Sequence, residues 1–239
     1  MKWLGIIAAI LVFAVVAYKV AFPSAAVRYR LTLEASVDGE PKIGSSVIEV
    51  TYGKQSRFAA QHELTVGFRG EAVVLDLGAR GTLFALLRPD EDVRSGPEWI
   101  VLRAFGFPGG AFPEPVSDGL RQVQQLSGRR DLPLTSLPLL VRFRDPNDSL
   151  TVEQVDPLDL AKSFGVGAQL VRATLEIVPT GIWPLSSCDI TGEPITRGIE
   201  SKVAWWNGPF PWLKPMGSGG FVDMRSGTFK VNKEDFKRG

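Results

Sequence analysis

The sequence predicts a mainly β chain of α+β type: an antiparallel sandwich or open barrel with two or three short helices, behind one N-terminal transmembrane helix. Three observations predict it. Apolar and polar residues alternate with period two from Tyr29 onward, tight-turn signals such as Asp38-Gly39 separate the alternating runs, and an uncharged apolar stretch opens the chain.

The run from Trp3 to Tyr18 holds no charge, with Lys2 before it and Lys19 after it, and Val20, Ala21 and Phe22 extend it to Pro23. Two readings compete. As a retained anchor, Trp3 to Phe22 is about 20 helical residues, roughly 30 Å, enough to cross a bilayer core. As a signal peptide it has a basic start, an apolar middle and a small-residue site at Ser24-Ala25-Ala26, with cleavage after Ala26. The anchor is expected. The uncharged run is long for a signal peptide, Lys19 sits where neutral residues belong, and Pro23 stops the helix just outside the membrane. Short N-terminal tails stay inside, so residues 27–239 are expected on the outer side as one domain.

Within that domain Tyr29, Leu31, Leu33 and Ala35 alternate with Arg30, Thr32, Glu34 and Ser36, the pattern of a half-buried strand. Asp38-Gly39 turns it, and Val47 to Val50 supplies the returning strand. Leu64 to Phe68 and Ala72 to Leu77 read as a second hairpin hinged near Gly70, and Gly78 to Gly81 turns into a strand from Thr82 to Leu87. The stretch AFGFPGGAFPEPV, residues 104–116, reads as an irregular connection and the place for any subdomain junction. Ser117 is expected to cap a helix from Asp118 to Ser127 with Leu120, Val123 and Leu126 on one face. Leu139 to Phe143 and Thr151 to Val155 read as strands joined by the turn Asp145-Pro146-Asn147-Asp148. Asp156-Pro157 opens a helix that Gly165 ends, and Leu170 to Val178 is a long strand.

The segments RYRLTLEASVDGEPKIGSSVIEV, VRFRDPNDSLTVEQVDPLDLAKSFG and TGEPITRGIE resemble an uncharacterised family of small membrane-anchored alpha-proteobacterial proteins. The resemblance covers most of the exported portion. It implies a bacterial envelope setting and brings no catalytic residues.

Charge argues against nucleic acid as a partner. Lys+Arg number 27 and Asp+Glu 26, a near balance that survives removal of Lys2 and Lys19, whereas nucleic-acid binding demands a basic excess. The single cysteine, Cys188, permits no intramolecular disulfide. His62 is the only histidine, so any histidine-based catalysis rests on it, and flanked by Gln61 and Glu63 it reads as a solvated loop residue. No pattern of a nucleophile elbow, a zinc protease or a phosphate-cradling glycine loop occurs. No cofactor is expected.

Two constellations remain. Asp145, Asn147, Ser149 and Asp156 occupy calcium-loop positions one, three, five and twelve. Leu150, however, stands where that loop requires glycine, and Asp156 where a bidentate Glu is usual. Asx turns and a helix cap account for these residues without a metal. Trp205, Trp206, Phe210 and Trp212, broken by prolines, suit either an exposed contact surface or packing across one end of the β domain. The function expected from all this is a single-pass inner-membrane protein with a periplasmic, non-catalytic interaction or structural module, served by a protein partner in the envelope. An envelope hydrolase working through carboxylates is the alternative.

Overall fold

The computed structural model describes residues 6, 13, 17, 18, 20–56, 62–182, 185–207, 224–226 and 229–239. Strand β1 (Ser24–Val37) and strand β2 (Glu40–Lys54) form the long hairpin that the alternation predicts, in register from Ser24↔Gly53 to Val37↔Glu40. Asp38 and Gly39 both take positive φ, 52° and 85°, the backbone of a type I′ turn whose twist matches the strands it joins.

Ten further strands follow: β3 (Leu64–Glu71), β4 (Val73–Asp76), β5 (Thr82–Ala85), β6 (Arg129–Leu132), β7 (Leu140–Phe143), β8 (Val152–Gln154), β9 (Ala168–Val178), β10 (Met224–Ser226), β11 (Phe229–Val231) and β12 (Lys237–Arg238). They form a six-stranded sheet in the order β12-β3-β2-β1-β9-β6, a four-stranded sheet in the order β4-β5-β7-β8, and the ribbon β10-β11. All described pairings are antiparallel.

The hairpin expected between Leu64–Phe68 and Ala72–Leu77 does not form. β3 pairs with β2 and with the C-terminal β12, while β4 pairs with β5 in the other sheet. The chain changes sheets beyond Gly70, whose φ of 148° is open to glycine and strained for other residues. β2 also runs close against β4. A Cβ at Gly44 would stand 2.4 Å from the Val74 carbonyl oxygen and 2.9 Å from the Leu75 Cα, so the two sheets meet backbone to backbone there.

Beyond Pro23, three short α-helices and several single 3₁₀ turns join the described strands, the α-helices being α1 (Pro97–Ala104), α2 (Val116–Gln124) and α3 (Leu160–Phe164). α1 has no counterpart among the predicted elements. α2 starts earlier than expected, and Ser117 lies inside its first turn instead of capping it, because Pro115 takes the cap position and accepts the Asp118 N–H through its carbonyl. In α3 the cap is Asp159, which accepts the Lys162 N–H. Asp156 instead holds a preceding turn by accepting the Leu158 N–H at 2.8 Å. Gly165 ends the helix at φ 89°, as expected. Residues 104–116 join α1 to α2, and both helices contribute to one core with the large sheet.

That core takes the inward side of β1 (Ala25, Val27, Tyr29, Leu31, Leu33, Ala35), the inner side of the small sheet (Val73, Leu75, Leu83) and Ile100, Val101, Leu120 and Val123 of the helices. A second cluster covers the other side of the small sheet. Phe84, Val141 and Phe143 meet Ile199, Val203, Trp205, Val231 and Phe236 there.

Candidate functional site

A cavity of about 850 Å³ opens at the start of β3 and is lined by His62, Glu63, Leu64, Val66, Trp99 and the 114–116 turn. Its place in the fold follows from register. Tyr52 of β2 pairs with Ala25 on one side and Val66 on the other, so the cavity lies at the end of the large sheet where β1 begins. The Lys54 N–H is bonded to the Pro23 carbonyl at 2.9 Å, which ties the same edge to the residue that ends the apolar segment.

Two buried tyrosines hold the cavity wall. Tyr29 and Tyr52 donate their hydroxyls to consecutive carbonyls of α1, Pro97 at 2.9 Å and Glu98 at 2.5 Å, and so fix the start of the helix whose Trp99 lines the cavity with Leu64 and Val66. Burial pushes the ionisation of both phenols well above its ordinary range, and the Glu98 carboxylate adds to this. The floor is closed by Val116 and the rim is polar. Glu63 pairs with Lys54 at 3.0 Å, and the His62 carbonyl accepts the Gln55 side-chain amide at 2.9 Å. His62 and Glu114 are exposed at the mouth. An apolar floor with a few polar groups at the mouth suits an amphipathic ligand or a protruding partner side chain.

On the opposite face of the large sheet lies a buried ionic cluster with no signal in the sequence. Arg28 is fully buried, donates Nε to Glu49 Oε2 at 2.9 Å and Nη2 to the Ser186 carbonyl at 3.0 Å, and bonds the Glu193 carbonyl. Arg69 donates to the other Glu49 oxygen at 2.8 Å, and Asp189 Oδ1 lies 3.3 Å from Arg28 and 3.7 Å from Arg69. Arg197 closes the set on Asp189 at 2.6 Å. These contacts clamp the connection after β9 onto the sheet. A neighbouring clamp fixes the C-terminus: Glu71, buried, accepts the N–H groups of Gly198 and Ile199 at 3.0 and 2.8 Å, and Lys237 bridges Glu71 and Glu200. The Lys237 contact holds the Glu200 carboxyl below its usual range and raises the Lys237 ammonium in return.

The residues singled out from sequence fall in separate places. Trp205 is 8% exposed and packs among Phe143, Phe236 and Trp206, with ring centroids 5.2, 5.7 and 5.6 Å away. Of the two readings open to it, Trp205 therefore follows the packing one and not the candidate interaction surface, since three aromatic neighbours bury its indole. Trp206 is half-buried beneath the Lys233 ammonium, 5.0 Å above its ring. Phe210 and Trp212 lie outside the described residues.

Asp145 and Asn147 form an Asx turn, with the Asn147 N–H on Asp145 Oδ1 at 2.9 Å. Asp156 is spent on its own turn, and Ser149 lies in the short helical turn after Asp148. Among the described residues no group of three or more His, Cys, Asp or Glu side chains is placed to hold a metal ion. Cys188 is exposed on the connection after β9.

The fold and cavity thus define a mainly β, two-sheet chain with an open amphipathic pocket. No family model matches this chain, and no curated protein or solved structure does either.

Proposed function

We propose that this chain is a single-pass protein of the bacterial inner membrane. Its β domain, read as a sandwich of the two sheets, stands on the periplasmic side and makes non-catalytic contacts with an envelope partner at the cavity beside the membrane. One observation carries the reading: β1 begins at Ser24, directly after the apolar segment, and Ala25 is already buried and paired with Tyr52. On the anchored reading, a chain that passes straight from its apolar segment into the central hairpin holds its domain at the bilayer. Cleavage after Ala26 would remove the start of β1, which favours the retained anchor. The described residues of the apolar segment agree with this. Ile6, Phe13, Tyr18 and Val20 are helical and 53–76% exposed, a costly arrangement in water and a natural one in lipid. Among the described residues no helix is by itself long and apolar enough to cross a membrane, and most of the segment lies outside them. The resemblance to membrane-anchored alpha-proteobacterial proteins supports the same setting.

Purification of the full-length chain from envelopes, as wild type and as Leu64→Arg and Trp99→Ala, tests the contact site. The reading expects a stoichiometric partner that both variants lose while membrane retention is kept. An unchanged partner in both would move the contact elsewhere.

A second reading, an envelope hydrolase, is favoured by the meeting of His62, Glu63 and Glu114 around one cavity. It expects turnover of envelope material that His62→Ala and Glu114→Gln abolish while partner capture persists.

A further inference from the structure

A second cleft, of about 330 Å³, lies at the β4–β5 turn, and among the described residues its charged lining side chains are all cationic: Arg80, Arg142, Arg144 and Lys202. Phe143 of the small sheet forms its apolar side, with the buried Phe84 packed behind it. We propose that this cleft binds a doubly charged anion carried on a small ring, with a phosphorylated monosaccharide as the ligand class.

The charge balance motivates the anion. Arg80 is held by both oxygens of Asp38, at 2.9 and 3.0 Å, and donates to the Phe164 carbonyl at 3.0 Å. Arg142 spends Nε and Nη2 on Glu153 at 3.1 and 2.9 Å and Nη1 on the Ser163 carbonyl. Arg144 shares the same carboxylate at 2.8 Å with its side chain 61% exposed, and the Lys202 side chain, on an exposed residue, makes no ion pair among the described residues. Among the described residues these four cations make their ion pairs with two carboxylates, Asp38 and Glu153. Of the acids nearby, Asp76 accepts the Gly78 N–H, Asp145 the Asn147 N–H, and Glu200 is paired with Lys237. Arg144 and Lys202, the two cations with donors to spare, match the two charges of one phosphate dianion, and the exposed Arg144 guanidinium offers its oxygens a fork of N–H groups.

Volume and lining set the rest of the ligand. The cleft is large enough for one hexose, and the half-buried Phe143 ring, backed by Phe84, offers an apolar wall to its C–H groups. The Asp38–Arg80 contact puts the cleft beside the β1–β2 turn, at the far end of a strand of 14 residues, about 40 Å from Ser24. On the membrane-anchored reading it faces away from the bilayer, toward soluble or polymeric envelope sugars.

The full-length chain in neutral detergent, titrated calorimetrically with glucose 6-phosphate, glucose and inorganic phosphate at low salt, tests this. Glucose 6-phosphate is expected to bind at least about tenfold more tightly than inorganic phosphate, and glucose not at all. The double variant Arg144→Gln/Lys202→Gln should weaken binding by about tenfold or more with an unchanged melting temperature, since both side chains reach solvent. Absent binding of glucose 6-phosphate, equal binding of inorganic phosphate, or full affinity in the double variant would each overturn the proposal. Competition by phosphatidylglycerol vesicles would assign the site to a lipid headgroup and overturn it too. None of these readouts depends on where the chain resides in the cell.

Discussion

Arg28 and Glu49 stand directly opposite one another on β1 and β2, and the fully buried guanidinium donates Nε to the carboxylate at 2.9 Å. Removing Arg28 leaves Glu49 with Arg69 alone and takes the donor from the Glu193 carbonyl. Arg28→Ala is expected to cost about 3–5 kcal/mol in chemical denaturation, against less than about 1 kcal/mol for Arg197→Ala at the exposed rim of the cluster. Limited proteolysis of Arg28→Ala should cut first in the connection after β9, which Arg28 holds through the Ser186 and Glu193 carbonyls. Equal costs for the two variants would contradict the clamp.

Gly44 is the point at which the two sheets touch through their backbones. Gly44→Ala must force β2 and β4 apart, since the new methyl would meet carbonyl and Cα atoms that cannot rotate away. A loss of about 1–3 kcal/mol is expected, comparable to overpacking a core. Gly67→Ala, also in a strand of the large sheet but with open space at its Cβ, serves as the control and should change stability far less.

Tyr29→Phe and Tyr52→Phe each remove one hydroxyl bond to α1 and are expected to cost about 0.5–1.5 kcal/mol. Because the folded-state pKa of both phenols is raised, their contribution is present in full below the unfolded value near about 10 and fades as pH climbs above it. Tyrosinate absorbance should show these two residues silent in the folded chain and ionising together on alkaline unfolding. Ionisation of either without unfolding would show that it is not sealed under α1.

The contact between Glu200 and Lys237 acts at the acid side. The folded Glu200 carboxyl is held below its ordinary value, so its stabilisation is complete above the unfolded pKa of about 4.3 and is lost as pH falls through the folded one. Glu200→Gln should flatten that part of the melting-temperature profile. An identical acid limb in wild type and variant would mean the pair contributes nothing.

Much of the fold was legible because its cues are local. The alternation from Tyr29, the Asp38-Gly39 turn and the glycine after α3 each act within a few residues. Strand exchange was not legible. Leu64–Phe68 and Ala72–Leu77 are spaced as a hairpin, and only tertiary contacts such as the Gly44–Val74 approach send them to different sheets. α1 was missed because Trp99 to Leu102 is a continuous apolar run that short-range periodicity does not tell from a strand. β6 was missed because its Arg-Arg-Asp-Leu is polar and mostly exposed. The cavity draws on residues 62–66, 99 and 114–116, and the ionic cluster on Arg28, Glu49, Arg69 and Asp189; no local pattern joins segments so far apart. Trp205 shows the converse. Its neighbourhood is conspicuous in sequence, yet the residue serves the core behind the small sheet.

The most direct test of the account is the mass and location of the mature chain. Cells producing a C-terminally tagged protein are fractionated, protease is added to spheroplasts, and the intact mass is recorded. The account predicts a full-length chain that stays with the membrane and is degraded from outside. A soluble chain beginning at Val27, or a membrane-bound one protected from the protease, would contradict it.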